Sequence, residues 1–234
     1  MLEARCAMKK NDILCSAILQ QDVEAGLDTV LARNTETESV KPFNEIRKPV
    51  EKIHQGVMQY SAIAACLQFF NRHGITYKLR DAGNAQQELR FGKKRMRLIC
   101  HHIEKTHIEI DELWESTAFV KNGFSPAARG PHAADCHYIF AFFTGQFEIA
   151  IVQDLSRIIS GNFELSRDTL RARAEDCRIF LTGAPSLAEC RRIFKRVKHG
   201  TQMLQYPEGT PTWGMGCQVK ELPAFRDIVH WGGV

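Results

Sequence analysis

The stretch His137-Tyr-Ile-Phe-Ala-Phe-Phe, followed by Thr144-Gly145 and then Gln146-Phe-Glu-Ile-Ala-Ile-Val, constrains this chain more than any other. Aromatic and β-branched residues dominate both runs, and such residues favour extended backbone. Runs this continuous fit strands covered on both faces, as in a central sheet with a layer above and a layer below. Thr144-Gly145 reads as a turn, so the two runs are expected to be adjacent strands of a buried hairpin, intolerant of a charge at Phe140 or Ile149. With 234 residues, 44% hydrophobic and 25% charged, the chain has material for one large domain or a core with a small appendage. The same composition excludes a disordered chain or a fibrous repeat.

Around that centre the periodicity changes. From Asp12 to Leu31 the apolar residues recur at three- and four-residue intervals, which predicts one amphipathic helix or two short ones, followed by a polar linker. A second helix is predicted from about Pro49 to Arg72, with small residues in its middle (Ser61-Ala-Ile-Ala-Ala-Cys) and His73-Gly74 as its stop. Ile75 to Leu79 reads as a strand, and Glu88-Leu-Arg-Phe, Gly92-Lys-Lys and Arg95-Met-Arg-Leu-Ile-Cys-His read as a hairpin. Beyond an irregular insert and the apolar runs come a predicted short helix at Asp154, a capped helix from Ser166 to Asp176, a strand at Arg178, a helix from Ser186 to Lys198, and a loop-rich tail. The expected organisation is an N-terminal helical appendage and linker (1–48), a core (49–162) and a basic C-terminal helical extension and tail (163–234). The expected fold class is α/β, with a central mixed sheet of four or five strands flanked by helices.

This order of elements resembles the restriction-endonuclease-like nuclease superfamily, whose signature is Pro-Asp followed by (Asp/Glu)-x-Lys. Gly56-Val-Met-Gln-Tyr-Ser-Ala-Ile-Ala-Ala-Cys-Leu stands where that family has a helix of the pattern Gly-x-x-x-Glu-x-x-Ala-x-x-x-Leu, and Glu88 to His101 stands where it has its metal-binding hairpin. The resemblance implies a nucleic-acid partner, DNA ahead of RNA, and Mg²⁺-assisted phosphodiester cleavage with Glu88 (or Asp81) as metal ligand and His101 in place of the Lys. Tyr60 and Ile99 occupy the remaining acidic positions, so the fold is either kept for binding or has moved its site. The competing class is a non-catalytic protein-interaction module on the same fold. Arg97-x-x-x-x-His102 also matches a pattern of helical ribonucleases, which is a third reading.

Bulk charge does not argue for any partner, because 31 Lys+Arg against 27 Asp+Glu leave a net charge of only +4. Local clustering does. Arg90, Lys93, Lys94, Arg95 and Arg97 crowd one turn, and Arg191, Arg192, Lys195, Arg196 and Lys198 fall on the predicted C-terminal helix; both suit phosphate contacts, and both also suit a solvated surface. The 8 cysteines form no Cys-x-x-Cys pair and read as reduced core thiols, while Cys100-His101-His102, His107, His132 and Cys136-His137 hold zinc-competent atoms. His101 and His102, adjacent on a strand, should point to opposite faces. The N-terminus lacks an apolar signal-peptide core and no apolar run spans a bilayer, so a cytoplasmic protein with no membrane partner is expected, with a homodimer allowed.

Overall fold

The computed structural model describes residues 8–34, 43–81, 87–124, 135–152 and 166–232. The chain is α/β, and its centre is a six-stranded mixed sheet in the order β1-β7-β6-β4-β3-β2. These strands are β1 (Leu14–Ala17), β2 (Lys78–Asp81), β3 (Gln87–Phe91), β4 (Lys94–Ile103), β6 (Cys136–Ile151) and β7 (Leu170–Gly183). β4 and β6 run parallel, and the other neighbours are antiparallel. A second sheet has three antiparallel strands in the order β5-β9-β8, from β5 (Thr117–Lys121), β8 (Lys195–Val197) and β9 (Gly214–Gln218). Six central strands exceed the four or five expected: β1 falls where the sequence pattern reads as helix, and β7 joins the expected strand at Arg178 to a segment read as helix.

Period-two alternation along the central strands sorts side chains onto two faces. Ile139, Ala141 and Phe143 of β6 and Ile179 and Leu181 of β7 join a core against helices α1 (Gln20–Asn34) and α2 (Phe43–Arg72). Tyr138, Phe140, Phe142 and Phe180 point the other way. They meet the small sheet and the short helices α3 (Ile110–Glu115) and α4 (Leu187–Ile193). The residues read as an N-terminal appendage supply β1, an edge of the central sheet, and α1, which packs on α2 and β7. Gly56 lets the two helices approach, since a Cβ there would lie 2.9 Å from Val30. α2 begins at Phe43, ahead of the expected start, and ends as expected, with Gly74 at φ +64° and the Ile75 amide donating to the Phe70 carbonyl.

The most constraining stretch forms a different structure from the one expected. Its two runs are consecutive halves of the single strand β6, and Thr144-Gly145 is a β-bulge. Gly145 adopts φ +102°, where a Cβ would lie 2.7 Å from the Asp176 carbonyl oxygen, so glycine serves a close backbone approach and the strand continues through it. Before the bulge every residue is buried, as expected; after it Gln146 and Glu148 are exposed while Phe147 and Ile149 are buried, so this half has a wet face. β7 pairs along both halves and occupies the place of the expected helix from Ser166 to Asp176. The Leu170 amide closes one turn on the Ser166 carbonyl, and from there buried Leu170 and Ala172 alternate with exposed Arg171 and Arg173. Sheet pairing overrides the helical preference of Ala, Arg and Glu. The expected helix at Asp154 lies outside the described residues.

Candidate nucleic-acid interface

The β3–β4 hairpin forms where the sequence predicts it, turning at Gly92 with φ +54°. Its cations divide between the two faces. Lys94 lies on the helix-covered face, with its ammonium 3.9 Å from the centre of the Trp231 ring, while Arg90 and Arg95 are register partners on the opposite face. Glu88 and Arg97 are partners on that same opposite face. The Glu88 carboxylate is buried and accepts from Arg90 Nε at 2.8 Å. Lys93 is exposed at the turn.

Arg97 is exposed although β4 lies between β3 and β6, inside the sheet. It stands in register with Tyr138, and its charge acts on both Tyr138 and Cys136. Burial and the neighbouring Cys136 push the Tyr138 phenol up to about 12, and the Arg97 charge works against that rise. Cys190 of α4 also lies within electrostatic reach of Tyr138 and Cys136. α4 starts as the sequence predicts, with a reciprocal Ser186–Glu189 capping box. It stops at Ile193, earlier than expected, because Phe194 is extended and packs edge-on against Phe124 at 5.1 Å. Arg191 and Arg192 therefore close a short helix, Lys195 and Arg196 lie on β8, and Lys198 follows it. Phe124 in turn meets Tyr138 edge-on at 5.1 Å. On β8, Arg196 is the register partner of Met215 on β9, and its guanidinium lies 5.6 Å from the centre of the exposed Trp213 ring. The chain of contacts Arg97, Tyr138, Phe124, Phe194 thus leads from the hairpin cations to those of β8. Tyr138, Phe124 and Trp213 were not singled out from sequence; the available signal was an aromatic in a Gly- and Pro-rich loop beside a basic run.

Glu88 and His101 do not converge. Both lie on the face opposite α2, but His101 is four residues beyond the partner of Glu88, about 13 Å along the strand. His101 is buried among Phe119, Phe142 and Tyr206, and its Nε2 donates to the Phe119 carbonyl at 2.8 Å. Burial holds this imidazole neutral, down to about 4, against the opposing pull of that hydrogen bond. It therefore ties the central sheet to β5. Tyr60, at the helix-acid position, rests against Gly26 of α1, and Ile99 packs in the core under the small sheet.

A Mg²⁺ ion needs several oxygen ligands. Glu88 offers one carboxylate already paired with Arg90 and opposite Arg97, and among the described residues no three His, Cys, Asp or Glu side chains gather as a metal site. These residues do not fit the ion. Asp81 is in register with Gln87; its side chain lies outside the described residues. The same absence bears on the zinc-competent atoms. His101 and His102 do point to opposite faces, and His102 meets His54 of α2 at 5.4 Å between ring centres and donates from Nε2 to the Gly145 carbonyl at 3.2 Å. His132 lies outside the described residues. Among those described, Cys66, Cys136, Cys177, Cys190 and Cys217 are buried free thiols, raised by burial. No described helix is long and apolar enough to cross a membrane.

No family model matches the chain, and neither the curated proteins nor the solved structures contain a match.

Proposed function

We propose that this chain binds nucleic acid along the basic margin running from Arg97 to Arg196, and that it does so without cleavage by a Glu88 metal centre. The observation that carries the proposal is that two segments remote in sequence border Cys136 and Tyr138, the start of β4 through Arg95 and Arg97 and α4 through Cys190, after which the chain continues into the cations of α4 and β8. Cations that serve only to protect a sheet edge belong on edge strands. Arg95 and Arg97 sit on an interior strand, which favours phosphate contacts over edge protection. The order α2, β2, β3–β4 hairpin and insert agrees with the first part of the layout on which the nuclease resemblance rests, whereas the apolar hairpin that follows in that layout is here the single strand β6.

The direct test is titration of labelled DNA and RNA oligonucleotides with the intact chain at low salt. Binding that weakens steeply as salt rises is the expected result. Failure of both polymers to bind at low salt would remove the proposal and favour a protein-interaction role.

A further inference from the structure

We infer that the margin takes single-stranded nucleic acid, with an unpaired base stacking on Trp213; this rests on the nucleic-acid reading above. Duplex recognition by charge alone needs cations at phosphate spacing and no exposed aromatic. Single-strand sites add aromatic rings on which unstacked bases lie, because every base has a π face. Trp213 is such a ring. It is 44% exposed, one of six large hydrophobic side chains so exposed among the described residues. It differs from the other five (Leu19, Leu79, Ile110, Ile151 and Val152) in being aromatic and in having a cation over its ring.

Local structure holds the ring in place. The Trp213 carbonyl accepts from the Asn122 amide at 3.1 Å, which ties its backbone to the end of β5. Gly123, at φ +73°, lies under the rim of the indole, and a Cβ there would touch both the ring and Met215 at 3.4 Å. Arg196 projects from the same sheet face as Met215. At 5.6 Å it is near the outer limit of a cation–π pair and leaves π surface uncovered. Lys198, just after β8, is exposed, as are Lys121 of β5 and Lys195 of β8, which the strand register places on the sheet face opposite Arg196. An arginine beside an open indole offers one nucleotide both a stacking surface and a phosphate partner.

The test compares one labelled oligonucleotide, single-stranded and annealed to its complement, against wild type, Trp213→Ala and Trp213→Phe. Wild type is expected to prefer the single strand. Trp213→Ala should weaken single-strand binding about tenfold with an unchanged salt slope, while Trp213→Phe keeps most of it. Unchanged single-strand affinity in Trp213→Ala, with wild type still binding, would overturn the stacking inference and leave the nucleic-acid reading standing. Absence of any binding by wild type would remove both.

Discussion

The two ends of β4 have opposite fates on the same face of the same strand. Arg95 and Arg97 begin the strand beside Cys136 and Tyr138, and Arg97 is open to solvent. His101 and Ile103, further along, are sealed beneath β5 and its surroundings. The difference is what lies on top: the small sheet and its surroundings cover the far half, with Phe194 stacked on Phe140, and reach the near half only at the rim, where Phe124 meets Tyr138. A segment that resembles a metal-binding element is thereby divided into a structural half, where His101 is held neutral, and a charged half in which Arg97 is open to solvent. Residue type alone did not separate the two.

The sealed half should fail first. Phe140 is fully buried and in register with Ile99, so Phe140→Asp places a charge where both faces of β6 are covered. A loss of about 4 kcal/mol or more is expected in denaturant unfolding, against a change within ~0.5 kcal/mol for Arg97→Ala at the open half. Equal effects at the two sites would erase the comparison.

Acid should sharpen it. The folded chain holds His101 at about 4 against an ordinary 6.5, so the neutral form is the one that folding favours. This contribution is complete above pH 6.5. As pH falls toward 4 the unfolded chain takes up the proton that the folded chain refuses, costing about 1.4 kcal/mol per pH unit and roughly 3 kcal/mol in all. His54 of α2 shifts the same way, by burial and then by the facing His102, with its Phe147 hydrogen bond, Glu104 and Glu51 acting against the shift. His101→Gln keeps a donor for the Phe119 carbonyl without titrating, and its stability should fall less between pH 7 and pH 4.5 than that of wild type. Parallel curves would place His101 in contact with water.

Glu88 gives the smallest effect and the sharpest sign. As the carboxylate among the hairpin cations it lowers the local positive potential, so Glu88→Gln should raise nucleic-acid affinity a few-fold. A metal ligand would behave oppositely, losing Mg²⁺-dependent binding or cleavage on the same substitution.

Much of the scaffold was legible in the sequence, in the elements where local signals and tertiary packing agree. The Gly74 stop of α2, the Gly92 hairpin and the helix start at Ser186 all formed as read. The errors share a physical origin. Gly145 carries a turn signal but meets Asp176 across a strand pair, which no local pattern encodes. The first half of β7 is written in helix-favouring Ala, Arg and Glu, and is a strand because β6 pairs with it, while the strand expected at Arg178 forms its second half. The cations of the candidate interface were visible by type. The approach of the α4 segment to Arg97 and Tyr138 was not, since it depends on a register between strands remote in sequence and on Phe194 ending α4 early.

The central claim is that Arg97 and Arg196 belong to one phosphate-binding margin, and the salt dependence of binding tests it most directly. Affinity for a single-stranded oligonucleotide would be measured across a series of salt concentrations for wild type, each single alanine variant and the Arg97→Ala/Arg196→Ala double variant. Two lost phosphate contacts should flatten the slope of log affinity against log salt by roughly 1.4, with each single substitution giving about half. A double variant with the wild-type slope would contradict the account.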